Sequence, residues 1–204
     1  MNIYLLRHGQ TNINKNGKYQ SSTDKDLNEF GKEQADILGK RMQKYNIDII
    51  YSSDLKRVIE TSKIINNHVN TEIIIKEELR EINMGTWETL PIKERYINNE
   101  EYAKKWHEHL EDLPYPDGEC GSDVCKRAMK VIDDIKKQRY ENVAIITSGG
   151  TIAIILCEIL GLEQYKRFSM EIDNCSISIV KYDNLNDKTI IKCINDIGHL
   201  EDML

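Results

Sequence analysis

No apolar stretch in this 204-residue chain approaches the roughly 20 residues that a membrane-spanning helix needs. Met1 leads directly into the first apolar run without a cleavable leader, so the protein is expected to be cytoplasmic. Excess positive charge is also missing, since 28 Lys and Arg stand against 34 Asp and Glu for a net charge of −6. That balance argues against nucleic acid or a membrane surface as a partner, and any anion site must gather its cations locally. Cysteine is scarce: the five residues Cys120, Cys125, Cys157, Cys175 and Cys193 form no C-x-x-C pair and leave an odd number, which a secreted disulfide framework avoids. Cys157 and Cys175 stand in apolar surroundings and read as reduced packing residues. No His, Cys or carboxylate spacing matches a known metal site, and internal repeats and low-complexity segments are absent as well.

What is present is an alternation of strand and helix, which makes the class α/β. Strands are predicted near 2–6, 47–51 and 142–147, with amphipathic helices near 28–45, 54–67 and 119–138. Asn28 caps the first helix, and Ala35, Leu38 and Met42 supply its apolar stripe. Ser52-Ser53-Asp54 is expected to cap the second, with Arg57 in its first turn pointing back to the strand end. The apolar run Ile152–Leu160, closed by Gly161, predicts a buried helix. Stretches 176–182 and 188–194 flank the turn cluster 183–187 and predict an antiparallel pair at the sheet edge. The expected architecture is three-layered: a mainly parallel central sheet with helices on both faces, an antiparallel C-terminal strand and a small helical cap. One domain, 1–204, holds a cap insertion at about 86–117, where Trp87, Tyr96, Tyr102, Trp106, His107 and His109 cluster.

The chemistry gathers where strands end. Leu6-Arg7-His8-Gly9-Gln10-Thr11 closes the first apolar run and brings together a cation, an imidazole and a glycine. Gly9 is expected to let the chain turn so that backbone N–H groups face an anion. The plain alternative for such a triplet is a capping Arg and a structural His. Arg57 follows the second strand, and Ser148-Gly149-Gly150 follows the third, where a helix start adds N–H donors. Two guanidiniums are suited to clamp a phosphoryl group, and a neutral His8 to attack phosphorus. Glu81, after Ile73-Ile74-Ile75 and before Gly85, is the candidate proton donor, the alternative being a surface carboxylate in the acidic stretch with Glu77 and Glu78. Ser148 does not fit a nucleophile elbow, because Ile146 occupies the first glycine's place in G-x-S-x-G.

These segments resemble the histidine phosphatase superfamily, the phosphoglycerate mutase-like fold. The resemblance rests on the Leu6–Thr11 motif with Asn14 and Gln20, on 24–35 with Leu27-Asn28-Glu29-Phe30-Gly31, and on Ser52-Ser53-Asp54-Leu55-Lys56-Arg57. It continues through the Glu81 segment, Asp117-Gly118-Glu119 with Arg127, and the tail Asn195-Asp196-Ile197-Gly198-His199-Leu200. It implies His8 as nucleophile, Glu81 as acid/base, Arg7, Arg57, Ser148 and Gly149 as phosphate-binding, and Asn14 lining the phosphate pocket. No metal or organic cofactor is implied. Ser148 departs from the pattern, standing where the family carries a second histidine. A serine hydroxyl is shorter and a weaker donor than that imidazole.

Two readings follow. In the first, the protein is a metal-independent phosphomonoesterase of the histidine acid phosphatase type that hydrolyses a small phosphorylated metabolite through a phosphohistidine at His8. The short cap favours hydrolysis over the mutase reaction, and the Leu79-Arg80-Glu81 to Trp87-Glu88 segment is similar to that of α-ribazole phosphatases. In the second, Ser148 leaves a catalytically weak or inactive phosphate-binding or interaction module. On either reading His107 or His109 from the cap is a candidate to enter the site in place of the missing imidazole, His199 packs near the last strand, and His68 ends a helix.

Overall fold

The computed structural model describes residues 1–16, 20–88, 90–184 and 186–203. Within the predicted turn cluster 183–187, Leu185 lies outside the described residues. The sheet has the order β3-β2-β4-β1-β5-β6. Its strands are β1 (Asn2–Arg7), β2 (Ile49–Ser52), β3 (Glu72–Ile75), β4 (Asn142–Thr147), β5 (Ile177–Asp183) and β6 (Lys188–Asp196). β3, β2, β4 and β1 are parallel neighbours, while β5 runs antiparallel to β1 and β6 antiparallel to β5 at the edge. The sheet is therefore α/β and mainly parallel, as its sequence pattern predicts.

Strand alternation divides the core in two. Ile3 and Leu5 of β1 join Ile49, Tyr51, Val143 and Ile145 against α6 (Gly121–Lys136) and α7 (Gly149–Leu160). Tyr4 and Leu6 join Ile50, Ala144 and Ile146 against α2 (Glu29–Met42) and α3 (Lys56–Val69). Helices cover both faces, and α7 is buried from Thr151 to Cys157. Among the described residues no helix is long and apolar enough to cross a membrane. A four-residue helix, α1 (Asn12–Lys15), follows the first strand. Segment 86–117 carries α4 (Ile92–Asn98) and α5 (Glu100–His107), and its Trp87, Trp106 and Tyr115 pack on Ile82, Met84 and Ile154.

The apolar run Ile73-Ile74-Ile75 forms the edge strand β3. Two local expectations are corrected. Ser52-Ser53-Asp54 does not cap α3: the helix starts at Lys56, whose N–H donates to Asp24 Oδ1 (2.7 Å), while Arg80 takes the Asp54 carboxylate through Nε–Oδ1 at 2.7 Å and a second bond from Nη2 to Oδ2. Gly9 is required for close approach rather than for a turn, because a Cβ there would lie 2.4 Å from the carbonyl oxygen of Gly31 in α2. Asn28 caps α2 as expected, accepting from Gly31 N at 2.7 Å.

Candidate active site

The carboxyl ends of β1, β2 and β4 converge, which is where ligands bind in open α/β sheets. His8 leaves β1 with its N–H still bonded to the Thr147 carbonyl (3.0 Å), and its ring is buried at 3% exposure. His8 Nδ1 lies 2.8 Å from the Gly9 carbonyl oxygen, so Nδ1 carries the proton and donates. Nε2 then presents its lone pair, and Arg57 Nε donates to it at 3.2 Å. Burial first, then the charges of Arg57 and Arg7, hold the His8 pKa well below its ordinary value, so the ring is neutral. A neutral imidazole with a fixed tautomer is the form in which histidine attacks phosphorus.

Arg57 is fully buried, and Nη2 donates to the Ser21 carbonyl (3.0 Å) and Nη1 to that of Thr23 (3.4 Å). Arg7 Nη1 donates to the Ile172 carbonyl, while its buried Nε has no hydrogen-bond partner. Burial lowers the pKa of both guanidiniums, and the Glu81 carboxylate is the strongest opposing influence on each. Glu81 Oε2 accepts from Gly150 N at 3.1 Å and Oε1 from Ile82 N at 2.8 Å, which fixes the carboxylate at the start of α7. A Cβ on Gly150 would stand 2.5 Å from Oε1, so glycine leaves the space that Glu81 fills. One N–H expected to face an anion thus serves the carboxylate, and the Gly9 N–H donates to Thr61 Oγ1 (3.1 Å) instead of an anion.

Ser148 is the N-cap residue of α7 but makes no side-chain cap bond, and its buried Oγ is without a partner. Gly149 leaves the passage by which the Arg7 side chain arrives, since a Cβ there would come within 3.3 Å of it. Asn14 is engaged in a capping box with Thr11 and reaches His8 only through Asn174, whose Nδ2 donates to the His8 carbonyl (2.9 Å) and to Asn14 Oδ1 (3.4 Å). Sequence reasoning does not find Asn174 or Ser21, whose contacts to His8 and to Ile82 are long-range and leave no local pattern. His107 and His109 do not reach the site: His107 bonds the Ala103 carbonyl and stacks on Tyr96, and His109 stacks on Phe168. His68 sits in the last turn of α3, its Nε2 2.7 Å from Asp36 Oδ1.

A cleft of about 850 Å³ opens beside Glu81. Its described lining carries Asp24, Asp54, Glu77, Glu78 and Glu119, and its two guanidiniums, Arg80 and Arg127, are paired with Asp54 and Glu119.

Arg57 thus donates to a neutral His8, and the charges of Arg7 and Glu81 act at the same sheet edge. The family model of the histidine phosphatase superfamily, branch 1, matches residues 3–197. The chain belongs to this superfamily. Phosphoserine phosphatase 1 of Hydrogenobacter thermophilus is 28% identical over 199 residues, covering 97% of this chain and 93% of that protein. The crystal structure of a phosphoserine phosphatase from Entamoeba histolytica in complex with 3-phosphoglyceric acid superposes with a TM-score of 0.84 at 25% identity, over 98% of each chain. An α-ribazole phosphatase from Shigella flexneri has a TM-score of 0.85 at 21% identity, over 96% of each chain, a likeness of fold.

Proposed function

We propose that the protein is a phosphatase that hydrolyses a small phosphomonoester through a phosphohistidine at His8, in a single domain whose cap spans about 86–117. The observation that carries the reading is the His8 ring, held by the Gly9 carbonyl as the Nδ1–H tautomer with Nε2 turned to Arg57. On substrate binding, the phosphoryl oxygens take the N–H groups of Arg57 and Arg7, including the Nε that now donates to His8. Nε2 is freed to attack phosphorus. As the P–N bond forms, the bond to the leaving oxygen breaks and that oxygen takes from Glu81 a proton that the carboxylate first accepts from the monoanionic phosphomonoester. Water then attacks the phosphohistidine, Glu81 recovers a proton from it, and the P–N bond breaks to return neutral His8 and release phosphate. Asn14, Ser148 and Gly149 belong to the phosphate-binding set in this reading.

The cleft beside Glu81 favours an uncharged or cationic alcohol as leaving group, because its guanidiniums are already neutralised. Phosphoserine, named in the relatives, fits that description better than 3-phosphoglycerate. One observation favours the second reading, a phosphate-binding module of weak turnover: the buried Ser148 Oγ has no hydrogen-bond partner, and where the resemblance implies an imidazole a serine hydroxyl is a shorter and weaker donor. Turnover of a phosphomonoester panel with a chelator present, set against phosphate binding by calorimetry, separates the two.

The assignment of Glu81 is tested by Glu81→Gln, which keeps the shape of the side chain. The kcat/KM for an alkyl phosphate should fall by roughly 10² to 10⁴, the usual range for general acid catalysis. A nitrophenyl ester, whose leaving group needs no proton, should lose much less. Equal losses for both esters would count against Glu81 as the acid.

A further inference from the structure

Glu81 sits in an irregular segment between β3 and the cap, yet every carbonyl from Glu78 to Asn83 accepts a hydrogen bond from another part of the chain. Arg127 of α6 supplies three of these contacts, donating from Nη1 to the carbonyls of Glu78 (2.6 Å) and Arg80 (2.7 Å) and from Nη2 to that of Glu81 (3.2 Å). Thr147 holds Leu79 (2.6 Å), Thr151 holds Arg80 (3.0 Å), Ser21 holds Ile82 (2.6 Å), and the Glu119 N–H holds Asn83 (2.9 Å). Arg127 is itself gripped by Glu119, through Nε to Oε1 and Nη2 to Oε2, both at 2.9 Å. Glu119 Oε2 also accepts from Asn83 N at 2.9 Å. The N–H donors of Arg127 are therefore all engaged within the protein. It lines the cleft without a free donor for a second substrate anion.

We propose that the Arg127–Glu119 pair positions Glu81, fixing the backbone of 78–83 so that the carboxylate is held at the start of α7, and that Arg127 does not bind substrate. The inference rests on the reading of Glu81 as proton donor. Beyond the tight turn 77–79 the segment 80–83 has no regular backbone hydrogen bonds of its own, and a misplacement of about 1 Å in a catalytic group costs on the order of 10² in rate. A bidentate guanidinium on three carbonyls supplies that rigidity in a way a lysine ammonium does not.

The test is Arg127→Gln, with Arg127→Lys and the shape-conserving Glu119→Gln alongside in case the first fails to fold. Amide hydrogen exchange at Ile82 and Asn83 should quicken by about tenfold or more while amides of β1 and α7 keep their protection. The kcat/KM for an alkyl phosphate should fall by roughly 10-fold to 100-fold, a nitrophenyl ester should change little, and Arg127→Lys should recover part of the loss. In a Glu81→Gln background, Arg127→Gln should add almost nothing, because the two changes remove one function. Unchanged exchange in the segment overturns the proposal. So does a loss that is equal for both esters, appears in KM, and adds to that of Glu81→Gln, which would make Arg127 a substrate contact. If Glu81→Gln itself leaves alkyl phosphate turnover at the parental level, the proton-donor reading fails, and unaltered hydrogen exchange would then overturn the ordering role of Arg127 on its own.

Discussion

At the scale of single residues, two positions decide how the site is read: the His8 imidazole, kept neutral, and Ser148 at the start of α7. His8 is surrounded by arginine and withdrawn from water, so its folded pKa lies well below the ordinary 6.5. In the unfolded chain the same ring protonates as pH falls through that value. Above it both states are neutral and the shift has no effect. Below it the unfolded state binds the extra proton, so this group lowers stability progressively between 6.5 and the folded pKa. Nitrogen-15 NMR should show His8 as the Nδ1–H tautomer and still neutral as the pH passes 6.5; a ring that titrates at or above that value would contradict the electrostatics of the site. Ser148 reads from sequence as a departure from the family pattern, and in the fold its buried Oγ at the helix start has no hydrogen-bond partner. Ser148→His should raise turnover by roughly 10-fold to 10³-fold, since one preorganised donor to a phosphoryl oxygen is worth about 3 to 4 kcal/mol. Unchanged or lower activity, with the imidazole seen in the pocket, would show that Ser148 is no deficit. Arg7 ends β1, His8 follows it, and Arg57 lies in the first turn of the helix after β2, so their common edge is readable from the alternation of strand and helix. Asn174 is not, because its contact to His8 spans 166 positions.

At the scale of elements, periodicity and caps located β1, α2, α6, β4 and α7 well, and failed where long-range partners decide. The sequence pattern places the start of α3 at 54 with a Ser or Asp cap, but Arg80 removes Asp54 from that role and Asp24 replaces it. The first helix pattern, read as 28–45, splits into α2 and a tight turn 43–45 that ends at Asn46 in the left-handed region, φ 48°. In Gly9 the residue is right and the reason is different. A side chain at Gly9 would meet the Gly31 backbone, so β1 and α2 approach closely only because both positions are glycine. Gly9→Ala should therefore cost about 1 to 3 kcal/mol or more, the usual penalty for overpacking against atoms that do not yield. Urea unfolding measures it. A loss under about 0.5 kcal/mol would mean that the strand end and the helix have room to separate.

At the scale of the whole molecule, an acidic chain brings two guanidiniums to one edge of its sheet. The net charge is −6, yet Arg7 and Arg57 converge on His8 at the carboxyl edge of the sheet, while carboxylates line the neighbouring cleft. The parallel sheet makes that convergence possible, since β1, β2 and β4 all deliver their ends to the same edge. This much was legible from the alternation of strand and helix and from the placement of motifs at strand ends. Segment 86–117 was legible as a change to charged and aromatic composition, but its packing on Ile82 and Met84, flanking Glu81, emerges only from the fold. The central claim is a covalent one, that the phosphoryl group passes through His8. The most direct measurement mixes the protein with a phosphorus-32-labelled phosphomonoester for milliseconds to seconds and quenches in alkaline detergent. The account predicts a labelled protein, stable to base and labile to acid, that is absent in folded His8→Ala along with turnover. Parental turnover in His8→Ala, or a base-stable label that persists without His8, would contradict it.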